Sequence, residues 1–272
     1  MSPRPGPDPR CRLSVDDCIW FLRDVARQNV RSLFDNEFLA FWRGLHDRHG
    51  IKVQFNVYLE DPDTGFTLQE MPDKYSGEWR QNADWLALTF HARADKPDRP
   101  YATASYEEVA RDMRAVTDEI RRFAGPELLS ACTTLHWGAA TADGCRALRD
   151  GGITALVGYF ELVDGQPRVA YCLDGATTTW LNRHDTWYDE GLDLLFIKHD
   201  LVLNLYPLDE IVPRLDAVYA RPDEREVLEL MIHEQYFSPA WPGYQPDAQD
   251  KVRRAVEWVT RHEYRWAFFE DW

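Results

Sequence analysis

Three short strand-like segments of this chain each end in acidic or imidazole side chains. Residues 12–15 are followed by Asp16 and Asp17, residues 85–90 by His91, and residues 230–232 by His233. In a parallel β/α barrel the carboxyl ends of the strands meet at one face, and catalytic residues collect there. The pattern therefore predicts one polar site, and an enzyme, built from these strand ends.

Asp16 and Asp17 are adjacent acids, and this limits their ionisation. Two neighbouring carboxylates cannot both ionise freely unless a cation or a proton lies between them. A bound metal ion resolves the conflict, because one carboxylate binds the ion and the other accepts a proton from the water that the ion activates. The alternative is that one of the two caps the helix that follows. These two residues alone leave both interpretations open.

His91 and Asp95 lie four residues apart, so both side chains can point the same way if the chain coils after the strand. An imidazole and a carboxylate together suit zinc or a similar divalent ion. Alternatively, His91 is an ordinary polar strand end and Asp95 a loop residue. His233 and Glu234 begin like the two-histidine helix motif of zinc proteases, but Phe237 stands where its second histidine would be, which rules that motif out.

Strand-like and helix-like segments alternate along the chain, which favours an α/β fold with a parallel sheet or barrel. Helical spacing is predicted for residues 18–28, 36–49, 105–124, 143–150, 208–219 and 246–261. Strands are predicted for residues 12–15, 51–59, 85–90, 128–137, 153–160, 192–199, 230–233 and 264–269, and residues 66–84 are predicted to form a long loop. We expect a disordered tail over residues 1–10 and a single distorted (β/α) barrel of seven or eight strands over residues 11–272.

Composition narrows the classes of function. The 46 acidic and 31 basic residues give a formal net charge of −15, which opposes binding to nucleic acid or to an anionic membrane surface. The chain has no apolar stretch of membrane-spanning length, and its proline-rich start does not read as a signal peptide. The five scattered cysteines form no Cys-x-x-Cys pair and suggest reduced thiols. We expect a cytoplasmic protein, and its oligomeric state stays open.

The order of these elements resembles the polysaccharide deacetylases of the NodB type, carbohydrate esterase family four. That family has a strand ending in two aspartates, a strand ending in a histidine motif, and a later Leu-x-His strand followed by a helix and a last strand. Residues 14–17, 90–95 and 231–233 resemble these three motifs in turn. Asp95 stands where the second motif usually has its second histidine, and residues 134–138 replace the arginine-bearing third motif.

This resemblance implies a metal-dependent hydrolase that removes an acyl group, such as N-acetyl, from a sugar or a small acylated metabolite. Asp16 would be the general base, and His233 the acid that protonates the leaving amine. Asp17 and His91 would bind the metal, with Asp95 as a further ligand and zinc as the expected divalent ion. A metal-bound water would attack the acyl carbonyl, and the ion would stabilise the oxyanion.

Substrate-binding roles are predicted for His136, Trp137 and His199. All three lie at the ends of predicted strands, so they can face the same mouth, and sugar rings stack on the apolar face of tryptophan. For each histidine, the alternative is an ordinary polar residue satisfied by its neighbours.

Two other functions stay open. The missing third motif favours a barrel that has lost catalysis and binds a carbohydrate or a partner. The set of Asp17, His91 and Asp95 also allows an oxidation at iron, although two histidines are usual for that chemistry.

Overall fold

The computed structural model describes residues 8–168 and 170–272, in which helices and strands alternate. The helices are α1 Trp20–Gln28, α2 Glu37–His49, α3 Ser76–Gln81, α4 Tyr106–Phe123, α5 Ala142–Asp150, α6 Gly175–Leu181, α7 Ile211–Tyr219 and α8 Ala248–Arg261. The strands are β1 Arg10–Cys18, β2 Val53–Tyr58, β3 Glu60–Asp61, β4 Phe66–Thr67, β5 Leu86–Ala92, β6 Cys132–Thr133, β7 Ala155–Gly158, β8 Glu161–Val163, β9 Gln166–Arg168, β10 Thr186–Asp189, β11 Leu194–Lys198, β12 Leu201–Val202, β13 Val227–His233 and β14 Arg265–Trp266. Most of the predicted tail, residues 1–7, lies outside the described residues, and Arg10 already belongs to β1.

Two mostly parallel sheets surround the interior. The first has the strand order β12-β13-β1-β2-β5, all parallel, with β14 also paired to β1. The second has the order β10-β11-β7-β6, in which β10 runs antiparallel to β11. Backbone hydrogen bonds join the sheets, from Ser130 N–H to Leu88 O and from Asp200 N–H to Glu229 O. The predicted α/β class with a distorted barrel architecture is confirmed.

Alternation along the strands separates an apolar layer from a polar interior. In β1 the residues that belong to the apolar core are Cys11, Leu13 and Val15. The residues between them are polar and equally buried, namely Arg12, Ser14 and Asp16. Successive side chains of a strand point to opposite faces, so one face of β1 packs against apolar side chains and the other lines a polar interior.

Hydrogen bonds across the strands hold this polar interior together. Arg12 donates to Glu229 Oε1 at 2.8 Å on β13 and to Gln54 Oε1 at 3.0 Å on β2. Gln54 donates in turn to Asn56 Oδ1 at 2.7 Å, and Asn56 donates to Asp16 Oδ1 at 2.5 Å. Buried polar groups need hydrogen-bond partners, and this chain of contacts fixes the position of the Asp16 carboxylate.

Helices cover the outer face of the strands. The helix α4 begins at Ser105, whose hydroxyl accepts the N–H of Glu108 while the Glu108 carboxylate accepts the N–H of Ser105. This reciprocal capping box defines the start of the helix. The apolar side chains buried along α4 recur every three or four residues and are Val109, Met113, Val116, Ile120 and Phe123. Within the described residues, no helix combines the length and the hydropathy needed to cross a membrane.

Several predicted elements are shorter than their patterns suggest. The strand predicted over residues 128–137 is reduced to β6, and after it Trp137 and Gly138 adopt positive φ values of 63° and 54°, which turn the chain. The last strand is reduced to β14. Residues 66–84 contain the short helix α3, and the elements α6 and β10 had no clear signal in the sequence pattern.

Candidate metal and catalytic site

The carboxyl ends of β13, β1, β2 and β5 lie side by side and supply most of the site. Asp16 on β1 is directly paired in register with His233 on β13. Tyr58 ends β2, and His91 is the next-to-last residue of β5. The strand order therefore brings together residues that are far apart in sequence.

Two irregular pairings direct consecutive side chains into the site. The register of β1 against β2 shifts between Val15 and Cys18, and Asp17 within this shift has a left-handed φ of 61°. The register of β2 against β5 also shifts, so that His91 is skipped in the pairing. Such bulges re-aim side chains and are common next to active sites. The bulge explains how the adjacent residues Asp16 and Asp17 both take part in interior contacts.

Asp17, His91 and His136 form a cluster of three donor groups that could hold a metal ion, with ligand atoms within 4.8 Å of one another. Asp17 Oδ1 lies 3.0 Å from His91 Nε2 and 3.2 Å from His136 Nδ1. The two imidazole nitrogens are themselves 3.2 Å apart.

The remaining nitrogen of each imidazole contacts a backbone carbonyl. His91 Nδ1 lies 2.5 Å from the carbonyl oxygen of Thr134, and His136 Nε2 lies 3.0 Å from that of Asp95. A carbonyl can only accept, so these nitrogens carry the protons, and the nitrogens that face Asp17 present lone pairs. A carboxylate oxygen and two lone pairs at this separation require a cation or shared protons between them. The residues present therefore fit a divalent ion, with the partners that orient metal-binding histidines.

Further hydrogen bonds fix the Asp17 carboxylate. Tyr58 donates its hydroxyl to Oδ1, and Gln235 Nε2 donates to Oδ2 at 2.7 Å. Burial raises the pKa of Asp17, but hydrogen bonds from the protonated forms of His136 and His91 lower it well below its usual value, so the carboxylate is ionised. A bound cation would take the place of those shared protons beside Asp17.

Asp16 has the opposite protonation tendency. Burial, and then the charge of Asp17, raise its pKa well above the usual value, although the hydrogen bond from Asn56 opposes this. The two adjacent aspartates thus have pKa values pushed apart, which is the arrangement expected of a ligand beside a base.

His233 is held by an amide on the neighbouring segment. Its Nδ1 lies 2.8 Å from Asn204 Oδ1, which also accepts the backbone N–H of His233 at 3.2 Å. Burial lowers the pKa of His233; the Asp17 charge opposes this effect, whereas His91 and His136 reinforce it. The imidazolium form of this side chain is consequently a stronger acid than free histidine.

The turn after β13 ties the site to α1. The Glu234 carboxylate accepts the backbone N–H groups of Ile19, Trp20 and Phe21 at 2.6–2.9 Å. These are N–H groups at the start of α1, which have no partner within the helix. Burial nonetheless raises the pKa of Glu234 to about 7. The Glu234 contact fixes the position of Gln235, whose amide reaches Asp17.

A cavity of about 130 Å³ opens from Asp17 and Tyr58 to the surface. Trp20 and Trp241 line it, with ring centroids 5.9 Å apart in an edge-to-face arrangement. Pockets that bury a drug-sized ligand have volumes of about 300–1,000 Å³, so this cavity suits a small group or one end of a larger molecule.

Three other predicted site residues, Asp95, Trp137 and His199, lie outside the donor cluster. The backbone carbonyl of Asp95 contacts His136, whereas its carboxylate is half exposed and its Oδ1 lies 3.7 Å from His136 Nε2. Trp137 is 44% exposed. His199 is buried, and its Nε2 lies 3.3 Å from Thr134 Oγ1. It does not line the cavity at Asp17.

Four residues of the site had not been predicted: Asn56, Tyr58, Asn204 and Gln235. The sequence contains a signal for Asn56 and Tyr58. Together with Gln54 they alternate with apolar residues along β2, so the three side chains share one face. Asn204 lies in a short turn, Leu203–Leu205, with no periodicity that would mark it.

A comparison with solved structures identifies the fold of the chain. No protein-family model matches the chain, and no curated protein matches it in sequence. A protein from Mycobacterium smegmatis assigned as a polysaccharide deacetylase is similar with a TM-score of 0.56 at 11% identity, covering 100% of this chain and 92% of that one. The chain has a polysaccharide deacetylase-like fold.

A second solved structure with a similar fold carries the name of a different activity. The 4-α-glucanotransferase of Thermococcus litoralis is similar with a TM-score of 0.61 at 13% identity, covering 97% of this chain; the match spans 40% of that longer protein. Function resides in sites grafted on folds. The function of this deacetylase-like chain therefore has to be argued from its own residues.

Proposed function

We propose that this protein is a metal-dependent hydrolase that removes an acyl group, in the first instance N-acetyl, from a sugar or a small acylated metabolite. The observation that supports this most directly is the inward-facing lone pairs of His91 and His136 beside the ionised Asp17. Asp16 and His233 flank that cluster in register on adjacent strands. A base, an acid and a cation site together are what amide hydrolysis requires.

The proposed metal ligands are Asp17, His91 and His136, with His136 in place of Asp95. Two imidazole nitrogens and one carboxylate oxygen form the ligand set of many catalytic zinc sites, which supports zinc as the ion. When bound, a divalent ion would act as a Lewis acid and lower the pKa of a coordinated water.

The remaining steps belong to side chains of this chain. Asp16 accepts the proton of the attacking water, and Asn56 holds Oδ1 so that Oδ2 is the accepting atom. His233 protonates the leaving amine through Nε2, since its Nδ1 is held by Asn204. The raised pKa of Asp16 makes its carboxylate a stronger base than an ordinary aspartate, and the lowered pKa of His233 makes its imidazolium a stronger acid than free histidine.

The cavity supports a small acyl substrate bound beside tryptophan. Its volume of about 130 Å³ admits an acetyl group together with part of a sugar ring. Trp20 and Trp241 offer the apolar faces on which sugars stack. The likeness in fold to a polysaccharide deacetylase is consistent with a carbohydrate substrate.

The first test is the metal content of the purified protein by elemental mass spectrometry. We expect near-stoichiometric divalent metal in the unmodified protein and in Asp16→Asn, and its loss in Asp17→Asn and His91→Ala. Asp95→Asn is the matched control and should keep the metal. N-acetylated sugars should then be turned over by the unmodified protein and not by Asp16→Asn.

Two outcomes would contradict this proposal. Protein that takes up no divalent metal would argue against the ligand set. Full metal occupancy without turnover of any acylated sugar or amine would instead favour a barrel that binds carbohydrate without catalysis.

A further inference from the structure

Two of the five cysteines are in contact although they lie 27 positions apart in the sequence. Cys145 is buried in α5, and Cys172 is half-buried in the turn after β9. Their sulfur atoms are 3.6 Å apart. The hydrogen bonds found for Cys11 and Cys18 in the described residues go instead to backbone carbonyls. Cys145 and Cys172 therefore form a pair of thiols, and the proposed hydrolysis makes no use of it.

The two thiols differ in access to solvent and in acidity. The hydrogen bond between the sulfurs lowers the pKa of Cys172, although burial opposes this effect. The same contact, with burial adding to it, raises the pKa of Cys145. The thiolate form of cysteine is the nucleophile that reacts with oxidants. Cys172 is therefore suited to react first with an oxidant from solvent, and Cys145 to attack the product.

The turn that contains Cys172 is hydrogen-bonded to the segment that carries His136. The neighbouring Tyr171 donates its backbone N–H to the carbonyl of Gly138 at 2.8 Å. Its hydroxyl oxygen accepts the backbone N–H of Leu135 at 3.2 Å. These two bonds flank His136 on either side, so a covalent bond at Cys172 would restrain the segment that positions this imidazole.

We propose that Cys145 and Cys172 are a redox modification site, at which hydrogen peroxide forms an intramolecular disulfide. The Cys172 thiolate attacks one peroxide oxygen, the O–O bond breaks, and the departing hydroxide takes a proton to give water, which leaves a sulfenic acid on Cys172. The Cys145 sulfur then attacks the Cys172 sulfur, the S–O bond breaks, and the departing hydroxide takes the Cys145 thiol proton as a second water. The two thiols are oxidised by two electrons, and the peroxide is reduced.

This reaction requires a small movement of the chain. The sulfurs must approach by about 1.6 Å to reach the disulfide bond length of about 2.05 Å. Cys145 is fixed within α5, so the movement falls to residues 170–173, which lie outside the helices and strands. Oxidation of the pair thus couples to the segment around His136. The inference goes beyond the proposed function and does not depend on it, because the reaction uses none of the proposed metal ligands.

The test is treatment of the reduced full chain with about one equivalent of hydrogen peroxide, followed by peptide mapping without a reductant. We expect a peptide that joins Cys145 to Cys172, a mass lower by two hydrogens, and loss of two of the five free thiols. Dithiothreitol should reverse all three changes. Cys145→Ala and Cys172→Ala should not form the cross-link, and Cys11→Ala, the matched control, should form it.

Hydrogen exchange measures the effect on the segment around His136. The backbone N–H groups of Leu135 and Tyr171 should exchange about 10-fold more slowly in the oxidised protein, because the disulfide opposes the local opening that exposes them. Peroxide should leave their exchange unchanged in Cys172→Ala, whose half-buried position makes it the variant least disturbed by the substitution.

The possible failures are distinguishable. An unchanged thiol count, a sulfinic acid at Cys172 as the sole product, or disulfides formed solely between separate chains would overturn the proposal. A cross-link with unchanged exchange at Leu135 and Tyr171 would overturn the coupling to the His136 segment and leave the disulfide standing. The metal content that tests the proposed function is measured separately, so either proposal can fail without the other.

Discussion

Two clusters of buried ionisable residues lie at the carboxyl ends of strands in this molecule, and their charges are balanced in different ways. One is the site at the ends of β13, β1, β2 and β5. The other follows β11, where Lys198 Nζ lies 3.2 Å from Asp200 Oδ1 and 2.6 Å from Glu224 Oε2. Arg221 adds a second cation on Glu224 at 2.9 Å.

In the cluster after β11, the chain itself supplies the cations. A buried carboxylate is tolerated when it is paired and hydrogen-bonded, and Lys198 and Arg221 provide that pairing. At the other cluster, the ion pairs found for Asp17 in the described residues are with histidines alone. Burial of charge therefore does not distinguish the two clusters, whereas the source of the neutralising charge does.

The comparison can be tested most strongly by removing a proposed metal ligand. His136→Ala should lower zinc affinity by more than the roughly 10- to 100-fold that loss of an outer partner costs, because a direct donor is removed. Asp95→Ala should change affinity only slightly, since its backbone carbonyl is what contacts His136. Isothermal titration calorimetry measures both, and equal losses would show that the Asp95 carboxylate is a ligand.

The matching experiment in the other cluster removes one of its two cations. Lys198→Met should lower the free energy of unfolding by about 3–5 kcal/mol, because Asp200 and Glu224 lose a buried partner. Zinc affinity should not change. Urea denaturation measures the first quantity and calorimetry the second. Lys96→Met, which removes an exposed ion pair with Asp98, is the control; a loss of metal in Lys198→Met would contradict the separation of the two clusters.

A smaller effect is expected at the partner of His233. Asn204→Leu should lower kcat about 10- to 100-fold, part of the roughly 10²- to 10⁴-fold that acid–base catalysis contributes, because the imidazole loses its orientation. Metal content should stay complete. Asn182→Leu, whose amide donates to the carbonyl of Phe160, serves as the control. Steady-state kinetics with an acylated sugar would distinguish the two, and an unchanged kcat in Asn204→Leu would count against His233 as the acid.

A further prediction concerns the pH dependence of stability at Asp185, which lies beside the cluster after β11. Burial and the charge of Asp200 raise the pKa of Asp185 to about 8. The folded state then binds this proton more tightly than the unfolded state, so the stabilisation is complete below about pH 4 and is lost as pH rises towards 8. The limiting slope is about 1.4 kcal/mol per pH unit.

Asp185→Asn should remove that slope while its amide oxygen still accepts the N–H of Val227. Urea denaturation at pH 5 and pH 8 should therefore show a larger loss of stability with pH in the unmodified protein than in the variant. Parallel pH dependence of the two proteins would show that Asp185 is ionised in the folded state.

The sequence by itself determined the α/β class and the strand ends that carry Asp16, Asp17, His91 and His233. These features follow from local periodicity, since alternation along a strand decides which face a side chain takes. The polar residues between the apolar ones in β1 and β2 could likewise be assigned to one face from sequence.

Only the tertiary structure decided which residues meet. Whether His136 or Asp95 joins Asp17 and His91 depends on a turn in which Trp137 adopts a left-handed backbone, and a non-glycine residue held there needs tertiary support. The contact of Tyr58 with Asp17 depends on bulges that shift strand register. The balance of charge at each cluster arises from packing between distant segments, and periodicity along one segment contains no information about its neighbours in space.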